Sequence, residues 1–181
     1  FYPSGTSQTN DSYVVYNYVE NSWYYGTLPR TAWFDNAVSN LPIAASPDGY
    51  IYFQENGVDD GSTNPPSPIS SYIESSAIDM GDGDQFMFMS RVLPDLTFRN
   101  STSTPSATFE VSARDFPGAN FDQTNSGVAV RSATAPVEQF TEQLFFRLRG
   151  RSMALKVSSN TLGTQWRLGT PRADMRTDGR R

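Results

Sequence analysis

The chain has 181 residues and a net charge of −5, and it contains neither cysteine nor histidine. A disulfide framework, a thiolate nucleophile and a cysteine-based zinc site are therefore excluded, as is Ser-His-Asp or Cys-His catalysis by this chain alone. Aromatic residues make up 13% of the chain, which also has 13 glycines and 12 prolines. This composition favours strands joined by turns over disorder.

The first part of the chain has strand-like segments separated by turns. Strands are expected over 12–19, 22–27 and 50–54, where aromatic and β-branched residues dominate. A proline-rich stretch follows at 62–68, and we interpret it as a connector because its prolines have no N–H to donate to a ladder. Residues 1–61 are therefore predicted to form a β-rich part with antiparallel strands.

The second part, residues 69–181, alternates apolar and polar residues over several short segments. Further strands are expected over 69–78, 85–93, 107–114 and 164–168, and the alternation is also present from 143 to 158. The cleanest alternation places Ala107, Phe109, Val111 and Ala113 on a core face. The spacing of strands and turns predicts one β-sandwich of about eight strands.

Two segments allow alternatives. Residues 143–158 fit two strands joined near Gly150, or one long strand with a glycine bulge. In 136–143, Glu138 and Glu142 lie four residues apart, which fits one helical turn, but a loop or a strand entry fits as well. No window of a dozen residues has the 3.6-residue period of a helix, so the predicted class is all-β.

The carboxylates suggest no site by spacing. The Asp/Gly-rich segment 79–84 resembles a calcium loop, but a twelve-residue count from Asp79 ends at Ser90 and a count from Asp82 ends at Leu93, where an EF-hand needs Glu. A calcium site of another kind is the alternative to a plain turn, and the same holds for 58–61. Candidates for carboxylate catalysis exist only by residue type, and they are Glu55, Glu74, Glu110, Glu138 and Glu142. We therefore predict no catalytic residue, no metal site and no cofactor.

Two other groups of residues are candidate sites. The aromatic cluster between Tyr13 and Phe34 is either a sugar-stacking platform, with Trp23 and Trp33 as glycan contacts, or packing on a sheet. Residues 147–181 hold nine basic and two acidic residues, a net +7, whereas the remainder holds 5 basic and 17 acidic residues, a net −12. We expect four of these basic residues to serve subunit contacts or local pairing rather than DNA binding, with solvated strand faces as the alternative. They are Arg147, Arg149, Arg172 and Arg176.

Short motifs in chain order resemble the C-terminal region of the nozzle, or tail-hub and packaged-DNA-stabilisation, proteins of short-tailed phages. Residues 11–18 and 21–26 look like two strands of a β-propeller blade with a Trp that packs between blades. The later motifs are at 30–33, 59–61, 72–76, 81–84, 116–119, 147–151 and 178–181. The resemblance spans nearly the whole chain, and since the family is structural it brings no catalytic residues.

The resemblance implies a propeller-like first part, followed by the sandwich, in a virion tail. It also implies a homo-oligomeric ring, usually hexameric, around the channel through which double-stranded DNA is retained and ejected, with an adaptor ring and fibres as neighbours. The chain begins at Phe1 rather than Met, so we expect a piece of a longer protein. Its longest apolar run is far shorter than the ~20 residues of a membrane span. The alternatives are a carbohydrate-binding adhesin or tail-fibre domain, and a carboxylate-based glycan hydrolase.

Overall fold

A computed structural model describes residues 1–36, 40–116, 118–119, 121 and 131–180. These residues form strands and turns without any helix, and every strand pair is antiparallel. The predicted all-β class is therefore confirmed. The chain divides into two compact units, Phe1–Gly57 and Val58–Arg181.

The first unit contains a two-stranded ribbon, β1–β2, and a three-stranded sheet with the order β3–β4–β5. Its strands are β1 Ser12–Asn17, β2 Ser22–Thr27, β3 Ala32–Phe34, β4 Ile43–Ala45 and β5 Ile51–Phe53. The ribbon forms because Asn17–Glu20 makes a tight turn in which the Asn17 side chain accepts from the N–H groups of Val19 and Glu20. Only Ser12, Pro42 and Ala44 are buried among the described residues of this unit, so it lacks a large core of its own.

The second unit contains two larger sheets with the orders β14–β10–β17 and β13–β12–β15–β8, and β9 also pairs with β15. Two short pairs, β6–β7 and β11–β16, accompany them. The strands are β6 Asp59–Asp60, β7 Ser67–Pro68, β8 Ser71–Glu74, β9 Ile78–Asp79, β10 Met87–Leu93, β11 Leu96–Thr97, β12 Ser106–Arg114, β13 Arg131–Glu138, β14 Leu144–Gly150, β15 Ser152–Ser159, β16 Arg167–Leu168 and β17 Arg172–Thr177.

Both larger sheets contribute to one cluster of buried side chains. The alternation predicted for 107–114 is confirmed, because Ala107, Phe109, Val111 and Ala113 on β12 are all buried. The other members come from four strands and are Met87, Met89, Val92, Val137, Leu144, Phe146, Leu148, Met153 and Val157. Burial of each Val, Leu, Phe or Met side chain stabilises a fold by about 1.5–3 kcal/mol, so this cluster is a major source of stability for the second unit.

The segment around Gly150 forms two strands rather than one long strand with a bulge. β14 pairs with β10 in one sheet, and β15 pairs with β12 in the other. The chain crosses between the sheets at Arg151, whose N–H donates to the carbonyl of Arg114 at 2.8 Å. A Cβ on Gly150 would lie 2.8 Å from the Cβ of Ala113, so the close approach of β14 to β12 requires glycine here.

Two other predicted segments have defined places. The predicted connector at 62–68 lies within the second unit, where Ser67–Pro68 pairs with Asp59–Asp60. The helical turn considered for 136–143 does not form. Strand β13 ends at Glu138 instead, and a turn follows in which the Thr141 N–H donates to the Glu138 carbonyl at 3.1 Å.

Candidate functional site

The arginines predicted to mediate contacts lie on one face of the sheet β14–β10–β17. Along β14, Leu144, Phe146 and Leu148 are buried in the core, so the alternate side chains of Arg147 and Arg149 lie on the opposite face. The cross-strand partner of Arg149 on β10 is Phe88. The spacing of 147 and 149 along one strand therefore determines that both arginines share a face.

Strand β17 adds the other two arginines to the same face. Phe88 pairs with Arg176 as well as with Arg149, and Leu93 pairs with Arg172. The register of β10 shifts between Met89 and Arg91 relative to both neighbours, which returns Arg91 to the outer side. We call this outer side of the sheet the arginine face. Its arginines are Arg91, Arg147, Arg149, Arg172 and Arg176.

Part of the charge on the arginine face is paired within the unit. Arg149 Nε lies 2.6 Å from Asp178 Oδ2, and its guanidinium is 3.9 Å from the centroid of the Phe86 ring. Arg91 Nη2 lies 2.7 Å from Asp174 Oδ2. The Arg176 guanidinium is 5.1 Å from the centroid of Phe88, a distance at which a cation is attracted to the ring face.

The remaining positive charge points outward. Arg147 and Arg172 are exposed, and neither forms an ion pair with another described residue. With five arginines against Asp174 and Asp178, the face keeps a net charge of +3. The face can therefore attract an acidic surface, and its two free guanidinium groups can each bind a carboxylate with two hydrogen bonds.

The acidic segment 79–84 forms a turn. The Asp84 N–H donates to the Gly81 carbonyl at 3.3 Å, and Gly81, Asp82 and Gly83 all have positive φ. Arg151 spans this turn by donating to the carbonyls of Gly83 and Asp84. Among the residues that the structure describes, no group of three or more Asp or Glu side chains is placed to hold a metal ion.

The aromatic residues of the first unit lie on both faces of the ribbon β1–β2. The register pairs Tyr16 with Trp23, and their rings are 4.5 Å apart. Tyr13, Val15 and Tyr24 belong to the other face, because side chains alternate along each strand. Most of these aromatic side chains are exposed, with Trp23 70% accessible, so core packing does not account for them.

The two predicted glycan contacts are on different sides of the first unit. Trp33 lines an open cleft of about 400 Å³ together with Phe1, Tyr13 and Tyr24, and its ring is 5.5 Å from that of Phe1. Trp23 does not line this cleft, because it lies on the other face of the ribbon. The spacing of the two tryptophans in the sequence contained no signal that would separate them.

The cleft has one titratable carboxyl among its described lining residues. Gln54 and Glu55 form its polar part, and Glu55 has a φ of 56°, which is a strained value for a residue with a side chain. Glycoside hydrolysis in its usual form needs two carboxyl groups flanking the scissile bond. The cleft therefore has the aromatic lining of a sugar-binding site but only half of a glycosidase's acid–base pair.

Two carboxylates of the first unit have shifted pKa values. The Tyr52 hydroxyl donates to Asp48, and this hydrogen bond is the main reason why the pKa of Asp48 is lowered, with the Tyr50 N–H second. The same hydrogen bond raises the pKa of Tyr52. The pKa of Asp11 is lowered by the hydroxyl and then the N–H of Ser4. These contacts hold the loops that flank strands β1 and β5.

No protein-family model and no curated protein matches the chain. The described residues also include no helix that is long and apolar enough to cross a membrane.

Proposed function

We propose that the chain is a structural module of a phage virion tail, a subunit of the nozzle or hub ring through which the genome is retained and ejected. The observation that carries the proposal is the exposure of the first unit. Its large hydrophobic side chains are mostly accessible, among them Trp23, Tyr25, Ile51 and Phe53. Large exposed apolar patches mark interaction surfaces, so we propose that part of this surface packs against neighbouring subunits.

The arginine face supports the same proposal. A permanent ring has heterologous interfaces, in which different surfaces of two identical subunits meet. The net +3 of this face can meet acidic surface elsewhere on the next copy, because the chain outside 147–181 has a net charge of −12. Complementary charge of this kind guides assembly and fixes register.

The finer architecture belongs to the proposal as well. We propose a β-sandwich in the second unit, supported by the buried cluster to which both larger sheets contribute. For the first unit we propose a propeller-like context, supported by its uncovered ribbon and its exposed Trp23. A blade has this appearance when its neighbours are absent, because blades bury their faces against one another.

The proposed partners are five further copies in a hexameric ring, an adaptor ring and fibres of the same tail, and double-stranded DNA that passes without sequence recognition. The acidic balance of the chain supports this, because a strongly basic channel would bind phosphates and slow DNA passage. The role needs no chemistry, so we propose no enzymatic activity.

The virion itself provides the test. Electron microscopy of the particle, reconstructed first without imposed symmetry, should place this chain in several copies around a DNA-filled channel. Density for the chain at the distal tip of a fibre, away from the channel, would overturn the proposal and favour an adhesin.

A carbohydrate-binding adhesin or fibre domain is the second candidate, and the cleft around Trp33 favours it. Its volume lies within the range of small-molecule sites. Under this reading, Trp33→Ala abolishes binding on a glycan array, while Trp23→Ala, outside the cleft, leaves it intact. Polysaccharide cleavage that is lost in Glu55→Gln would instead establish the hydrolase alternative.

A further inference from the structure

The strands of the first unit lack the devices that normally protect a sheet edge. None of β1 to β5 contains a charged residue. In contrast, the edge strands of the two larger sheets in the second unit, β14, β17, β13 and β8, each contain at least one, and β13 also contains Pro136. Charges and proline at edges disfavour pairing with another chain, so among the described residues the first unit lacks the edge protection that the two larger sheets have.

The hydrogen bonds of the ribbon reveal which amides of β2 are free. The Leu28 N–H donates to the Asp11 carbonyl, one position beyond the pair Ser12–Thr27. Bonded and non-bonded pairs alternate in an antiparallel ladder, so Ser22, Tyr24 and Gly26 bond to β1. The N–H groups of the alternate residues therefore point away from β1. They belong to Trp23, Tyr25 and Thr27.

The opposite edge of the ribbon is already partly covered. Tyr2 and Ser12 exchange two backbone hydrogen bonds, of 2.9 and 3.2 Å. This agrees with the same alternation, because Ser12 does not bond to Thr27. Among the described residues no strand pairs with the outer edge of β2.

Strand β5 has an equivalent open edge. The Gln54 N–H donates to the Pro42 carbonyl, and the Ser46 N–H donates to the Tyr50 carbonyl. By the same alternation Tyr52 bonds to β4, whereas the N–H groups of Ile51 and Phe53 point outward. The side chains of these two residues are 72% and 64% accessible.

We propose that the outer edge of β2 pairs with the outer edge of β5 in a second copy of this chain. Both edges lack charge and expose large apolar side chains, so no like charges oppose each other across the pair. Pairing of β2 with its own copy would be two-fold symmetric and would stop at a dimer, whereas β2 with β5 is heterologous and repeats around a ring. The inference rests on the proposed ring and adds a strand-pairing interface to it.

Proline substitutions on the outward amides test the pairing directly. Tyr25→Pro removes an outward N–H from β2 and leaves the bonds to β1, and Phe53→Pro does the same for β5. Each variant alone should associate about tenfold more weakly or worse, measured by sedimentation. An equimolar mixture has one intact β2–β5 pair and should form a 1:1 complex. Tyr25→Thr, which keeps the N–H, should assemble better than Tyr25→Pro.

Amide exchange in the unmodified protein provides a measurement that needs no variant. The N–H groups of Trp23, Tyr25 and Thr27 should exchange quickly at low concentration and slowly in the assembly, while those of Ser22, Tyr24 and Gly26 are protected in both. Assemblies in which the outward amides stay unprotected, or in which both proline variants assemble normally, overturn the inference and leave the ring intact. A chain that is monomeric at all concentrations overturns both proposals.

Discussion

Arg149 donates from Nε to Oδ2 of Asp178 over 2.6 Å, which ties strand β14 to the segment that follows β17. The same guanidinium covers Phe86, a ring that is only 8% accessible. Asp178 is held in addition by its N–H, which donates to the Phe86 carbonyl at 2.7 Å. Part of the basic C-terminal segment therefore stabilises the unit in which it lies.

Arg149→Ala should reduce the stability of the second unit by about 1–2 kcal/mol. An exposed ion pair contributes about 0.2–1 kcal/mol, and a cation over a ring contributes about 0.5–1 kcal/mol. The matched control is Arg147→Ala, two residues earlier on the same face, for which we expect a change within about 0.5 kcal/mol. Denaturant unfolding measures both, and equal effects of the two substitutions would contradict this role of Arg149.

Gly150→Ala should destabilise the second unit by about 1–3 kcal/mol, the usual cost of overpacking. The added methyl group would meet the Cβ of Ala113 at 2.8 Å and the carbonyl oxygen of Arg114 at 3.1 Å, neither of which can rotate away. Gly61→Ala is the control in the same unit. Nothing lies within 4 Å of a Cβ there and φ is not positive, so thermal unfolding should show no loss of stability.

The Asp48–Tyr52 contact should stabilise the first unit fully between about pH 4 and about pH 10, near the ordinary pKa values of the two groups, and less outside this range. The folded pKa of Asp48 is lowered, so its contribution is present above the unfolded pKa and is lost as the pH falls through the folded value. The pKa of Tyr52 is raised, so its contribution is present below the unfolded pKa and is lost as the pH rises through the folded value.

Tyr52→Phe removes the hydroxyl that donates to Asp48 and should raise the pKa of Asp48 towards its ordinary value. An NMR titration of the side-chain carboxyl carbons measures this shift. Asp11 serves as an internal control, since its lowered pKa depends on Ser4 and should not change. An unaltered Asp48 titration in the variant would show that the tyrosine hydroxyl is not the cause.

Reversal of charge on the arginine face should weaken assembly at low salt. Arg147 and Arg172 are the best pair to change, because neither has an ion-pair partner among the described residues. Their replacement by Glu should shift sedimentation towards smaller species, with the difference decreasing as salt increases. Replacement of Arg99 and Arg167, exposed arginines outside this sheet, should have less effect. Equal losses in both variants would indicate a general charge effect.

Alternation alone predicted strands β12 and β14 of the second unit. On β12 and β14 one face is buried and the other is not, so the sequence of each strand shows its orientation directly. The edge strands β13 and β17 were not predicted. Pro136 lies within β13 and is tolerated there because β13 is at the edge of its sheet. In β17 only Met175 packs against the core cluster. A single apolar residue gives no alternating pattern that would identify the strand from the sequence.

The sites were predictable to different degrees. The four arginines stood out by local charge, but their common face depends on pairing across three strands and on the register shift between Met89 and Arg91. Neither property is encoded in local spacing. The aromatic cluster was visible by composition, whereas the separation of Trp23 from Trp33 follows from ribbon register and from the fold of β3.

The crossing at Arg151 also bears on how the second unit unfolds. Leu144–Gly150 is an edge strand of one sheet, and Ser152–Ser159 is a central strand of the other, with a single residue between them. Unfolding of either strand removes side chains from the shared buried cluster and displaces the other strand, to which it is connected through Arg151. The two sheets are thus expected to melt together, in one cooperative transition with equal calorimetric and van't Hoff enthalpies.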